Sequence, residues 1–178
     1  MTRHVVLLRG INLGSHNRIA MPELRALLTD AGFQDVQTYL QSGNVVLTST
    51  LTPPRVTSEV ERQINTQLRL EVDVVVRSRA ELAAVVRRNP LADVATDPKR
   101  YQVTFLRSKL ATAAVRELER LAHPEERVVA IGREVYAWHP RGVARSKLWS
   151  RLASRQLGAV ATSRNWTTVT KLLELAAA

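Results

Sequence analysis

Four neutral hydrogen-bonding side chains, Asn12, Asn17, Ser42 and Asn44, stand with Arg9 and Arg18 in two short polar segments of this chain. Such a set can hold an anion or read a base edge. It lacks an obvious general base, so binding rather than catalysis is expected there. The first segment, Arg9-Gly10-Ile11-Asn12-Leu13-Gly14-Ser15-His16-Asn17-Arg18, follows the apolar run Val5–Leu8 and precedes a helix that Pro22 opens. A strand, a Gly-containing loop and a helix in that order aim backbone N–H groups and a helix N-terminus at an anion. Gly10, Gly14, Asn12 and Asn17 all tolerate the positive φ that such a loop needs. The candidate ligand-binding residues are Arg9, Asn12, Gly14, Asn17, Arg18, Ser42 and Asn44. Ser42-Gly43-Asn44 also suits a hairpin turn on its own account.

A second candidate region lies near the C-terminus. Between Val135 and Lys171 there is no Asp or Glu, while Arg141, Arg145, Lys147, Arg151, Arg155, Arg164 and Lys171 are all basic. The three tryptophans, Trp138, Trp149 and Trp166, fall in the same window. Basic groups interleaved with aromatics suit a phosphate backbone with bases stacking nearby. Lys147, Arg151 and Arg155 follow i, i+4, i+8 and form one stripe on an expected helix over 146–157. The polyanion-binding candidates are Arg145, Lys147, Arg151, Arg155, Arg164 and Lys171. The competing reading is a solvated basic face over tryptophans that belong to the core.

Composition narrows the chemistry. The chain has 178 residues, 45% of them apolar, and a net charge of +10, which favours polyanionic partners. It has no cysteine, so thiolate metal sites, disulfides and a Cys nucleophile are excluded. The four histidines show no metal-ligand spacing, and neither a Gly-x-Ser-x-Gly elbow nor a P-loop is present. No cofactor or metal is expected. No apolar run is long enough for a membrane span or a signal-peptide core, which makes a cytoplasmic location the expectation.

The elements that must position these residues announce themselves by local signals. Helices are expected over 23–31, from the capping pair Ser58/Glu61, from Ser78/Glu81 to Asn89-Pro90, after Ser108, over 146–157 and over 166–176. Short β-rich runs fall at 4–9, 36–40, 44–48, 72–77, 102–106, 127–131, 135–138 and 159–162. The order β-α-β-β-α-β over 1–77 recurs over 101–162. This predicts an α+β fold of two ferredoxin-like βαββαβ halves with extra helices. The halves are 1–77 and 101–178, joined by a connecting helix and linker over 78–100. In such a split β-α-β unit the third strand lies between the first two. The Gly10–Ala20 loop and the Gln41–Asn44 turn then meet at one sheet edge. Val5–Leu8 and Val45–Leu47 are apolar on both faces and expect cover on both sides. They lack the exposed aromatics of an RNA-recognition motif.

Leu7-Leu8-Arg9-Gly10-Ile11-Asn12-Leu13-Gly14, Met21-Pro22-Glu23-Leu24 and Tyr39-Leu40-Gln41-Ser42-Gly43-Asn44-Val45 together resemble the bacterial domain-of-unknown-function family numbered 1697. The likeness continues through Gly142, Ser146-Lys147-Leu148, Leu157-Gly158 and Ala161-Thr162-Ser163-Arg164-Asn165-Trp166-Thr167-Thr168-Val169-Thr170-Lys171-Leu172. The resemblance implies a cytosolic protein of two α+β halves and implies no activity. Where the family usually reads Gly-Gly-Lys-Asn, this chain has Gly14-Ser15-His16-Asn17 followed by Arg18. The expected function is binding of a phosphate-bearing ligand or nucleic acid through the loop, the turn and the basic C-terminal half. The alternative is an enzyme acting on a nucleotide or phosphorylated small molecule, with His16 or His139 as acid or base.

Overall fold

The computed structural model describes all of residues 1–178. The first half runs β1 (Thr2–Leu8), α1 (Met21–Asp30), β2 (Gln34–Tyr39), β3 (Asn44–Ser49), α2 (Pro53–Leu68), β4 (Val74–Ser78) and α3 (Arg79–Arg88). The second runs β5 (Tyr101–Leu106), α4 (Thr112–Leu121), β6 (Arg127–Ile131), β7 (Glu134–Trp138), α5 (Lys147–Leu152), β8 (Ala161–Asn165) and α6 (Trp166–Ala177). The repeated unit is therefore β-α-β-β-α-β-α. Helix α3 follows β4 as α6 follows β8. By its contacts the chain divides into one compact unit of Met1–Ala84 with Leu172–Ala178 and another of Val85–Lys171.

Each half holds a four-stranded antiparallel sheet, in the orders β2-β3-β1-β4 and β6-β7-β5-β8. This is the ferredoxin-like arrangement in both, with the third strand of each half between the first two. Val5 pairs with Val46, and Val6 with Val45, as adjacent antiparallel strands. The two halves repeat their details. Leu8 N–H donates to the Gly43 carbonyl and Leu106 N–H to that of Arg133. Arg9 N–H donates to Asp73, and Arg107 N–H to Val160.

Strand alternation sorts the cores. Val6, Leu8, Val45, Leu47, Val74 and Val76 point to one face of the first sheet. There they pack with Leu24, Leu27 and Leu28 of α1 and Val56, Val60 and Ile64 of α2. Val5, Leu7, Val46 and Val75 on the other face are buried as well. In the second half Leu106, Val135, Ala137 and Ala161 pack with Leu118, Leu148, Leu152 and Leu157. Each such side chain contributes about 1.5–3 kcal/mol by leaving water.

Three helix starts or stops depart from expectation. Ser78 and Glu81 do form a reciprocal capping box, with Ser78 N–H donating to Glu81 at 2.8 Å and Glu81 N–H to Ser78 Oγ at 3.2 Å. Ser58 and Glu61 do not. Helix α2 starts earlier, at Pro53-Pro54, where a missing N–H costs nothing. Ser58 donates back to Pro54, and Glu61 instead accepts from Val74 N–H at the head of β4. Helix α4 starts after Ala111 rather than at Ser108. The expected helix over 146–157 is only Lys147–Leu152. Ser154 opens a turn there: its hydroxyl accepts from Gln156 N–H and its carbonyl from Leu157 N–H. A serine offering the backbone this alternative ends the helix. Leu157 reaches the core through that turn, and Arg155 leaves the stripe expected with Lys147 and Arg151.

Candidate functional site

The loop after β1 is a miniature hairpin. Asn12 N–H donates to the Asn17 carbonyl at 3.1 Å, and Leu13 bridges His16. Asn12 (φ 56°) and Asn17 (φ 49°) are left-handed, as are Gly10 and Gly14. The Asn12 amide ties this loop to the β2–β3 turn. Its Nδ2 donates to the Ile19 carbonyl at 2.9 Å and to that of Gln41 at 2.6 Å, while its Oδ1 accepts from Ile19 N–H at 2.8 Å. The two segments do meet at one sheet edge. The groups that bring them together are thereby used up.

Asn44 is wholly buried in β3 and donates to the Tyr39 carbonyl at 2.8 Å and to Ser42 Oγ at 3.0 Å. No ligand can touch it, and it sets the turn instead. Gly43 is equally internal, because a Cβ there would lie 2.8 Å from both Leu8 Cβ and Ile11 Cδ1. The exposed residues of the two segments are Gly10, Leu13, Gly14, Ser15, His16, Arg18, Gln41 and Ser42, with Arg9 and Asn17 half-buried.

The second half has a cleft of about 740 Å³ between the end of α4 with the turn Ala122–Glu126 and the segment Pro140–Lys147. That segment turns twice. Gly142 N–H donates to the His139 carbonyl at 2.9 Å and Ser146 N–H to that of Val143 at 3.1 Å, with Gly142 at φ 80°. A buried polar cluster fastens it below. Glu126 Oε2 lies 2.5 Å from His139 Nδ1 and accepts from Ser146 Oγ at 2.6 Å, while Oε1 accepts from His123 N–H at 3.0 Å. Ser146 Oγ also caps α5 by accepting from Trp149 N–H at 3.0 Å. The Trp149 ring meets the His139 ring edge-on at 5.8 Å.

Burial pushes the Glu126 carboxyl up, but Ser146, the His123 amide and His139 together outweigh it and hold the group below the usual range. The serine, histidine and glutamate do not form a nucleophile relay. Serine and carboxylate meet the same ring nitrogen, and His139 Nε2 is buried without a partner. His139 has no exposed surface, so it cannot serve a substrate in the cleft as acid or base. The cluster fixes the backbone that carries the cleft's cations.

Those cations are of two kinds. Arg141 pairs with Glu125 at 2.7 Å, and Arg120 pairs with Glu117. Arg145 and Lys147 line the cleft, exposed and without a carboxylate partner. Arg151 lines an adjoining depression of about 370 Å³ with Arg145 and Lys147, and lies 4.0 Å from Glu117. The other expected polyanion contacts fall elsewhere. Arg164 points into the interior from β8, and burial pushes its guanidinium down to about 10. A guanidinium so enclosed cannot reach a phosphate. Arg155 lies beyond the end of α5, and Lys171 is half-buried in α6.

Base stacking on the second sheet is also closed off. Tyr101, Phe105, Tyr136 and Trp138 are buried, and Tyr101 stacks on Trp166 at 4.7 Å. Burial pushes the Tyr136 phenol up to about 12. Sequence reasoning missed the acidic floor of the cleft. Its one local signal was His123-Pro124-Glu125-Glu126, a turn-rich stretch ending in a buried carboxylate.

No helix is long and apolar enough to cross a membrane. No curated protein matches this chain in sequence. In structure it is similar to a conserved bacterial protein from Streptococcus pneumoniae, at 23% identity and a TM-score of 0.80 over 98% of each chain. That likeness extends the fold over the whole length. The model of a protein family of unknown function, DUF1697, matches residues 1–136. That span takes in the whole first half, its Asn12-clamped loop and turn, and the second half through β6 into β7, and so the chain belongs to the DUF1697 family.

Proposed function

We propose that this protein binds a phosphate-bearing ligand or nucleic acid through the cleft of its second half, and that it does so in the cytoplasm. The carrying observation is the placement of Arg145 and Lys147, two cations without carboxylate partners on a segment pinned by Ser146 to a buried Glu126. A backbone already fixed need not be ordered on binding, so the entropic cost falls only on the Arg and Lys side chains. Guanidinium and ammonium groups are the donors that phosphate oxygens call for. Of the groups that could move a proton, Glu126, His139 and Ser146 are engaged below the surface, while His123 and Glu125 line the cleft and leave catalysis as the second reading.

The first-half loop is the weaker place for a ligand. Its Asn12 and Asn44 amides are consumed by backbone partners, and Arg18 is its one exposed guanidinium. Titration with inorganic phosphate and with a short RNA, followed by intrinsic tryptophan fluorescence, tests the assignment. Binding at low salt that drops at least tenfold in an Arg145→Gln/Lys147→Gln variant is the expected result. Binding untouched by that pair and lost in Arg18→Gln would move the site to the first half.

A further inference from the structure

The cleft is not an isolated pocket. It shares Leu121, Ala144, Arg145, Ser146 and Lys147 with the depression that Arg151 lines, so the two meet across the 144–147 segment. On its other side it shares Glu125, Pro140 and Arg141 with a further depression of about 570 Å³ that reaches Arg127. Arg127, Arg141, Arg145, Lys147 and Arg151 thus follow one another along a continuous groove.

Building on the phosphate-binding reading above, we infer that the groove takes a single-stranded nucleic acid lengthwise, through its backbone. A small phosphate ligand is held by donors converging on one enclosed point. Here the five cations are spread over three adjoining depressions, with Arg145 and Lys147 shared by two of them. Arg127 donates to the Pro124 and Glu126 carbonyls, while Arg145 and Lys147 have no carboxylate partner. A flexible strand can lay successive phosphates along such a floor, whereas a stiff duplex meets only the rims. No Trp, Tyr or Phe lines the cleft or the Arg151 depression, and Trp138 beside Arg127 is buried, so recognition is mainly of the backbone and without strong sequence preference.

The test is fluorescence anisotropy of the full chain with di-, tetra-, octa- and hexadecathymidylate at several salt concentrations. Thymidine monophosphate, inorganic phosphate and a duplex serve as competitors. Affinity is expected to rise with length and then level off once the groove is spanned. For three phosphate contacts the log–log salt slope is about −2, at about −0.7 per contact for a single strand. Arg145→Gln/Lys147→Gln should flatten the slope by about two contacts. Arg151→Gln should weaken the longer oligomers only. The charge-conserving pair Arg145→Lys/Lys147→Arg should keep the slope.

Thymidine monophosphate competing as well as the longest oligomer, with a one-contact slope, would overturn the lengthwise strand and leave the phosphate site standing. A duplex competing as well as the single strand would overturn strand preference. No binding of any of these at low salt would overturn both the inference and the reading it rests on.

Discussion

The two halves share one plan and lengthen it in opposite places. In the first, the long connection is Arg9–Ala20 between β1 and α1, where the second half has only Arg107–Ala111. In the second, it is His139–Ser146 between β7 and α5, where the first half has only Thr50–Thr52. Strand β7 runs antiparallel to β5, the counterpart of β1. The long connections therefore leave opposite edges of their respective sheets. They also use polar groups oppositely. The first turns its amides inward onto backbone carbonyls and closes on itself. The second buries one carboxylate, one imidazole and one hydroxyl beneath the surface and leaves its cations outside. A polar loop is a binding loop only if its polar groups remain unspent.

The largest effect that would break this contrast is at Gly43. An added Cβ would press on Leu8 and Ile11 at 2.8 Å, and the residue sits at φ +87°. Gly43→Ala should cost about 3 kcal/mol or more, combining overpacking with left-handed strain. Gly132 in the β6–β7 turn has open space around it at φ +57°, so Gly132→Ala should cost only about 1–2 kcal/mol. Urea denaturation of both variants checks the difference, and equal losses would mean the first-half turn is no more tightly seated than the second.

Next comes Asn12→Ala, which strands three backbone partners and puts alanine at φ 56°. A loss of about 2–3 kcal/mol is expected, with phosphate affinity unchanged once the protein is folded. Ser146→Ala should cost about 1–2 kcal/mol through the lost cap and the lost donor to Glu126. It should also weaken ligand binding by loosening the 139–146 segment.

Acid should separate the halves as well. Burial lowers the pKa of His4 in β1, so protons favour the unfolded chain. That contribution is full above the ordinary histidine range, about 6.5, and is lost as pH falls through the lower folded value. The Glu126 carboxyl is also held low, so its contribution persists until pH falls below the ordinary carboxylate range, about 4.3, and then through its own value. Melting curves between neutral and acid pH should show His4→Phe removing the upper loss and leaving the lower one. An unchanged upper loss would assign that step to another group. The smallest effect on stability belongs to the charges proposed to bind. Arg145→Gln/Lys147→Gln should stay within about 0.5 kcal/mol of the parent in denaturation while losing most phosphate affinity.

Strand periods, turn glycines and the Ser78/Glu81 box carried the fold in the sequence, because those signals act over a few residues and agree with one another. The order of elements then placed β3 beside β1 and brought the Gly10–Ala20 loop to the Gln41–Asn44 turn. What those residues do there was not legible. Whether an asparagine amide faces a ligand or a carbonyl depends on the residue brought to it through the fold, and for Asn12 that was Gln41. The stripe through Lys147, Arg151 and Arg155 failed on a local competition, a serine hydroxyl against one more helical turn. Arg164 failed because β8 has no exposed face: every one of its residues is buried or half-buried. The sequence by itself determined the repeated secondary structure and the basic character of the second half. Only the tertiary structure decided which polar groups are satisfied inside and which cations stand free in a groove, because burial and hydrogen-bond partnership come from residues distant in the chain.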